Sequence, residues 1–275
     1  MLVIHHLSAP IGPLRGAGLE YGIAGIILFV VGFVRGTNGR IWTHSPRCLP
    51  VCGTFWFLNV TLAWLAFAAA QSRAELLVAG LLNYLWPALT LLLSIPILGK
   101  RPHKILAFGL VITLAGIVLG KVATASAETA VDAISQINPV SYSLAILDAI
   151  AWALYSNLAR KLSNPEGASA VPLYMLVTGV VLLIASSWLA EPYAATGSDW
   201  FIMTGWAVAA AAAYLLWDIG MRFGNVVVIS TMSMLIPLAS TMITAVASGH
   251  GITVPLVGAA ALVVFGSDQC RKGVE

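Results

Sequence analysis

Charged residues are scarce in this 275-residue chain, which carries 9% Asp, Glu, Lys and Arg where a soluble domain carries about 25%. The three cysteines are odd in number and lack the spacing of a zinc or redox site. The sequence also lacks a Gly-rich phosphate loop with Lys, a His-Glu-x-x-His motif and a Gly-x-Ser-x-Gly motif. Its basic residues lie in short loops without an aromatic platform. We therefore predict no enzymatic activity, no cofactor, no metal site and no nucleic-acid partner.

Hydrophobic residues are abundant instead, at 59% of the chain, and the mean hydropathy is +0.92. The apolar runs are about twenty residues long, which is enough to cross a hydrocarbon core of ~30 Å. Helices are expected, because backbone groups in lipid must be hydrogen-bonded within each segment. The sequence predicts an all-α transmembrane protein of about nine spans, embedded in the lipid bilayer. The predicted spans are 16–34, 49–70, 75–98, 103–120, 139–160, 169–190, 199–221, 225–248 and 253–269.

The basic residues are distributed unevenly between the loops. Eleven of the fourteen Lys and Arg residues fall in alternate loops, and only Arg15, Arg73 and Lys121 fall in the others. Cytoplasmic loops are enriched in Lys and Arg. This pattern predicts a cytoplasmic C-terminus and, with nine spans, an external N-terminus.

The sequence also repeats itself at an offset of 150 residues. Chance matches are common among apolar residues, but coincidences of Trp, Pro and Gly at one offset are less so. The matched pairs include Trp56 with Trp206, Pro87 with Pro237, Gly99 with Gly249 and Gly116 with Gly266. An odd number of spans in each copy favours two inverted halves around a central pathway, as in secondary transporters.

We place the first, incomplete transmembrane repeat at residues 1–122 and the second at residues 139–275. The second repeat begins with the span 139–160, whose counterpart in the first would lie mostly before Met1. We therefore expect the first helix of a five-helix plan to be missing from the first repeat, and favour a truncated start.

One stretch, Gly80–Thr90 with the sequence GLLNYLWPALT, resembles a signature of the drug/metabolite transporter superfamily. It is most similar to the YddG-type aromatic amino-acid exporters among the ten-helix EamA-type members. The segments PVSY at 139–142, WALY at 152–155 and YLLWDIG at 214–220 fit the same pattern. The resemblance implies two inverted five-helix repeats, a central substrate cavity and export across the bacterial inner membrane. It also implies that the first family helix is absent here.

The signature places Tyr84 and Trp86 at mid-span, beside Asn83 and Pro87. Pro87 removes a backbone donor and frees a carbonyl one turn back, near Asn83. Tyr and Trp offer a flat apolar face with one polar group each, which suits an aromatic substrate. On spacing alone, packing between helices is slightly favoured for these rings. The resemblance favours cavity lining, so Asn83, Tyr84 and Trp86 are predicted substrate-binding residues.

A second candidate stripe contains Asp148, Trp152 and Tyr155, which share one helical face. A carboxylate at mid-membrane costs about 2.5–3.5 kcal/mol and usually faces an interior cavity. A structural Asp bonded to a neighbouring group and an Asp that binds a substrate ammonium are equally compatible with the pattern. Trp64 and Trp217 complete the predicted substrate-binding set.

The other acidic residues in or near the predicted spans are not predicted to bind substrate. Asp218 is predicted to form an intrahelical pair with Arg222 at the membrane interface. Glu20 and Glu75 lie near outer span ends, where water is expected to reach them, and we assign them no function.

The leading hypothesis is therefore an inner-membrane secondary transporter. It would export aromatic amino acids or related small amphipathic metabolites by alternating access, and we expect a monomer. A multidrug or cation exporter is an alternative, favoured by a membrane-embedded Asp148. A truncated, non-transporting membrane fragment is a further one.

Overall fold

The computed structural model describes residues 10–125, 129, 137–191, 193–247 and 253–274. These residues form a helical protein, as the apolar runs predict. A short 3-10 helix at Asn38–Thr43 follows the first α-helix. The α-helices are α1 (Pro13–Val34), α2 (Cys48–Ala69), α3 (Arg73–Asn83), α4 (Trp86–Leu98), α5 (Ile105–Thr124), α6 (Pro139–Leu162), α7 (Val171–Trp188), α8 (Gly197–Phe223), α9 (Val226–Ser233), α10 (Ile236–Ala247) and α11 (Val254–Lys272).

Seven helical segments of the described residues are long and apolar enough to cross a membrane, with α3–α4 and α9–α10 each counting as one segment. The remaining two predicted spans are α6 and α11, which form long helices but carry more polar residues. α6 packs along α2, and α11 packs along α5. The protein is thus an all-α, multi-pass membrane protein.

Two of the predicted spans are broken in the middle. The segment 75–98 is interrupted at Tyr84–Leu85, and the segment 225–248 is interrupted at Met234–Leu235. The two breaks are themselves 150 residues apart. Each break comes just before a proline, whose ring clashes with the preceding turn but fits the first turn of a new helix. The repeat in the sequence is therefore a repeat in the backbone.

Counterpart helices of the two halves also pack against each other: α5 against α11, and α1 against α7. Glycines allow the close approach. A Cβ on Gly266 would lie 2.8 Å from the carbonyl oxygen of Gly109, and one on Gly179 would lie 2.5 Å from the amide nitrogen of Gly22. Small residues at such crossings let helix backbones meet in a membrane. The fold consists of repeated halves joined through these contacts.

Helix α6 occupies the centre of the helix assembly. It packs along α2 and also contacts α3, α4 and α8. Its central position follows from its small residues, since Ala145, Ala149 and Ala153 have no exposed area. α6 carries the Asp148 stripe and so brings it against four neighbouring helices.

Candidate functional site

Six aromatic rings, including that of Trp152 near the centre of α6, form an aromatic cluster. The indole of Trp152 lies 5.6 Å from that of Trp217 at an interplanar angle of 35°, and 5.3 Å from the ring of Tyr155. Trp86 meets Trp217 edge to face, with ring centroids 5.0 Å apart. Each such pair contributes about 0.5–1.5 kcal/mol beyond the area that it buries. The aromatic cluster comprises Trp56, Trp86, Trp152, Tyr155, Tyr214 and Trp217.

The six rings differ in exposure. Trp56, Trp152 and Tyr155 are buried, whereas the other three, Trp86 on α4 with Tyr214 and Trp217 on α8, are half-buried. Half-buried rings keep part of their surface accessible. The aromatic cluster thus has a packed floor on α2 and α6 and an open edge on α4 and α8.

Asp148 lies one helical turn before Trp152 and is 1% exposed. Its two carboxylate oxygens accept hydrogen bonds from the side-chain amides of Asn59 and Asn83, one oxygen each. Asn59 lies on α2, and Asn83 ends α3 at the helix break. No Lys, Arg or His within the described ranges forms an ion pair with Asp148. The carboxylate is therefore held in place by two neutral amides and keeps its capacity to accept from a cation.

The structure brings six of the eight predicted site residues to α6 and the helices that contact it. Trp86, Trp152, Tyr155 and Trp217 belong to the aromatic cluster, and Asp148 adjoins it. Asn83 joins them through its bond to Asp148, which makes six.

The other two predicted site residues point elsewhere. The Tyr84 hydroxyl donates to Ser240 Oγ at 3.2 Å, and the Lys121 ammonium lies 5.0 Å from the Tyr84 ring centre. The Trp64 indole donates to Glu20 Oε2 at 3.1 Å. Tyr84 and Trp64 therefore lie outside the aromatic cluster, and their proposed contact with substrate stays a prediction.

Three members of this region are not among the eight predicted site residues. Trp56 and Tyr214 belong to the aromatic cluster, and Asn59 holds Asp148. The 150-residue offset pairs Trp56 with Trp206, which is a signal that could have marked Trp56. Asn59 offered a second signal, because it is a polar residue inside an apolar span.

The expectation that water reaches Glu20 is wrong. Its side chain is buried, with 3% of the residue exposed, because the indoles of Trp64 and Trp206 pack over it. The Asp218–Arg222 pair is present, with 3.4 Å between Oδ2 and Nη1, but it too is buried rather than interfacial. The loop between α6 and α7 covers this pair, because Arg222 also donates to the carbonyl oxygens of Asn164 and Gly167.

The described residues also line two cavities. A polar one of about 520 Å³ lies at the C-terminal ends of α4, α6 and α8, lined by Lys100, Arg160 and Asn225 among others. An apolar one of about 530 Å³ lies between α2 and α7 and includes Tyr174, whose ring is 6.1 Å from that of Trp56. Over the described ranges, no three His, Cys, Asp or Glu side chains come together in a way that could hold a metal ion.

Comparison with known proteins places this architecture among transporters. The EamA-like transporter family matches residues 1–120 and 140–267. The chain is 27% identical over 273 residues to the aromatic amino acid exporter YddG of Escherichia coli (strain K12), covering 98% of this chain and 90% of that protein. It is also 27% identical over 277 residues to the YddG of Salmonella typhimurium (strain 14028s / SGSC 2262), with the same coverage. One solved crystal structure superposes with a TM-score of 0.76 at 25% identity, covering 98% of this chain and 93% of that one.

Proposed function

Because the chain belongs to the EamA-like transporter family, we propose that it is an inner-membrane exporter of aromatic amino acids or related small amphipathic metabolites. The similarity to proteins named aromatic amino acid exporters supports this substrate class. The single observation that carries the proposal is the aromatic cluster beside a carboxylate without a cationic partner among the described residues.

The two parts of this site match the two ends of an aromatic amino acid. The half-buried faces of Trp86 and Trp217 offer a surface on which an aromatic side chain can stack. Asp148, one turn from Trp152, offers an acceptor for the α-ammonium group. A charge-assisted hydrogen bond of that kind contributes about 1.5–3 kcal/mol, and the rings add dispersion over a large area.

The polar cavity suits an entry vestibule on the cytoplasmic side. Lys100 and Arg160 line it, and it lies at the C-terminal ends of α6 and α8, two helices that also carry rings of the aromatic cluster. Clefts lined by one sign of charge raise the local concentration of oppositely charged groups, here the substrate carboxylate. In the proposed cycle the two halves rock around the midplane site and expose it to each side in turn.

A counterflow experiment tests this function. Purified protein in proteoliposomes loaded with unlabelled phenylalanine should accumulate labelled phenylalanine, tryptophan and tyrosine, but not alanine or aspartate. Trp86→Ala should reduce this accumulation while leaving expression nearly intact, because Trp86 is only half-buried. Accumulation of no amino acid by the wild-type protein would contradict the proposal and favour a non-transporting membrane protein.

A cation exporter is the second candidate, because Asp148 has no cationic partner among the described residues. Competition measurements in the same proteoliposomes distinguish a cation exporter from an amino-acid exporter. Competition by a quaternary aromatic cation stronger than competition by phenylalanine would favour the cation exporter. Competition by aromatic amino acids alone would favour the amino-acid exporter.

The orientation of the chain follows from the distribution of basic residues, and we predict a cytoplasmic C-terminus. Single cysteines at positions 125 and 195 should react with a membrane-impermeant maleimide in intact cells. Cysteines at positions 40 and 102 should react only after the cells are opened. The native cysteines contribute little background because all three are buried. The reverse labelling pattern would overturn the orientation.

A further inference from the structure

The loop between α6 and α7, residues 163–170, is bonded to the connection that leads into α2, and this contact joins the two halves of the protein. The Arg40 side chain donates from Nε to the carbonyl oxygen of Glu166 at 2.9 Å, and the Ala168 amide donates to the carbonyl oxygen of Arg40 at 3.2 Å. Both segments belong to the set of loops that carries most of the basic residues, which predicts a cytoplasmic position. The two halves are thus bonded to each other on the predicted cytoplasmic side.

His44, in the connection before α2, is held in one tautomer by two backbone groups of the α6–α7 loop. The Asn164 amide donates to Nδ1 at 3.0 Å, and Nε2 lies 2.8 Å from the carbonyl oxygen of Ala168. An amide N–H only donates and a carbonyl oxygen only accepts, so both bonds require a neutral imidazole with its proton on Nε2. The loop also packs closely on this ring, since a Cβ on Gly167 would lie 2.4 Å from Cε1 of His44.

A buried arginine on α8 bonds the same loop. Arg222 Nη2 donates to the carbonyl oxygens of Asn164 at 2.9 Å and Gly167 at 2.8 Å. Its Nη1 lies 3.4 Å from Asp218 Oδ2. Hydrogen bonds from a charged donor are stronger than those between neutral groups. The position of the α6–α7 loop is therefore set from two directions, by the connection before α2 and by α8.

Asp218 connects this arrangement to the proposed substrate site. The hydroxyl of Tyr155, whose ring belongs to the aromatic cluster, donates to Asp218 Oδ1 at 3.4 Å. Near the end of α8, Arg160 donates to the carbonyl oxygen of Met221 at 3.4 Å, and Arg160 also lines the polar cavity. The residues that hold the α6–α7 loop thus contact the aromatic cluster on one side and the proposed vestibule on the other.

Contacts of this kind can separate and form again during transport. When two halves rock around a central site, the contacts between them on one side must break before the site opens to that side. The α6–α7 loop is held largely through backbone carbonyl and amide groups, and water can replace such hydrogen bonds at a small net cost.

We propose that the α6–α7 loop is the cytoplasmic gate of the exporter and that His44 and Arg222 keep it closed in this structure. This proposal rests on the proposed export function and on the predicted orientation of the chain. It names the contacts that must separate before substrate passes from the polar cavity to the aromatic cluster.

A native cysteine allows this gate to be locked with one substitution. Cys48 Sγ, at the start of α2, lies 3.7 Å from the hydroxyl oxygen of Ser163, the first residue of the loop. Ser163→Cys therefore brings two thiols close enough to form a disulfide, whose S–S bond is ~2.05 Å long. Oxidation with iodine should abolish phenylalanine counterflow in proteoliposomes, and a reductant should restore it. Ser163→Cys combined with Cys48→Ser is the matched control, and the oxidant should leave its counterflow unchanged.

A binding measurement separates a locked gate from a damaged site. Oxidised and reduced Ser163→Cys should bind phenylalanine equally in detergent, and loss of binding on oxidation would overturn the gate, because the disulfide would then act on the site itself. Full counterflow by protein whose disulfide is confirmed by mass spectrometry would overturn it too. Failure of the disulfide to form would contradict the closed loop, since the two side chains are in contact. Absence of counterflow from the wild type would instead overturn the export function.

The reaction of Cys48 with a maleimide measures gate opening without substrate. Cys48 is 1% exposed, so its labelling in inside-out vesicles, followed by peptide mass spectrometry, should be slow while the loop is closed. His44→Leu removes both hydrogen bonds of the imidazole and should raise the labelling rate about tenfold, the effect of losing two hydrogen bonds of ordinary strength. His44→Gln keeps a donor and an acceptor and should label more slowly than His44→Leu. His103→Leu is the matched control, because His103 is exposed in another loop. Equal labelling rates in wild type and His44→Leu would overturn the role of His44.

Discussion

Replacing Asp148 with Asn is expected to weaken the binding of phenylalanine by about 10- to 100-fold, because the ammonium group loses a charged hydrogen-bond acceptor worth about 1.5–3 kcal/mol. Asn keeps the size of the side chain. It also turns an amide donor towards the donor of Asn59 or Asn83, so some loss of stability is expected as well.

A pair of ligands separates the two effects. 3-Phenylpropionate has the ring and carboxylate of phenylalanine but lacks the ammonium group. Asp148→Asn should therefore weaken phenylalanine binding much more than phenylpropionate binding in an equilibrium binding assay. Asp268→Asn is a suitable control, because Asp268 forms its ion pairs at the exposed end of α11. Equal losses for both ligands would make Asp148 a structural polar residue.

Truncating Trp152 to Ala should produce a large loss of stability. Its indole meets five other rings and is 7% exposed. Removal of a buried Trp side chain costs about 3–5 kcal/mol, because the surrounding rings cannot fill the cavity. Phenylalanine binding should fall as well, since the remaining rings lose their support.

Thermal melting in detergent measures the stability change directly. Trp188→Ala serves as the comparison, because Trp188 ends α7 and is 85% exposed. Trp152→Phe should lower the melting temperature much less than Trp152→Ala, since it keeps an aromatic ring at the centre of the aromatic cluster. If Trp152→Ala and Trp188→Ala melt alike, Trp152 does not organise the site.

Much of the fold could be predicted because the membrane imposes simple rules on composition. Every predicted span is helical over most of its described length, and the proline positions indicated irregular backbone near Asn83. The break at Tyr84 could not be inferred in detail, because helical periodicity no longer fixes the direction of a side chain once the helix ends. For that reason Tyr84 turns to Ser240 rather than to Trp86.

The depth of a side chain in the membrane was harder to predict than the helix face on which it lies. Trp56 and Trp64 share one face of α2, but eight residues at 1.5 Å each separate them by about 12 Å along the helix. Trp56 therefore joins the aromatic cluster, while Trp64 reaches Glu20. The burial of Glu20 depends on how α1, α2 and α8 pack, and this packing cannot be inferred from a single sequence. The boundaries of the two repeats, at 1–122 and 139–275, likewise stay predictions.

The central claim is that substrate lies on the open edge of the aromatic cluster with its ammonium group at Asp148. A crystal structure with bound 4-bromophenylalanine tests this most directly, because the bromine can be located by its anomalous scattering. We predict a bromine peak against the rings of Trp86 and Trp217, with the α-nitrogen within hydrogen-bond distance of an Asp148 oxygen. A peak elsewhere, with these rings packed as they are without ligand, would contradict the proposed site.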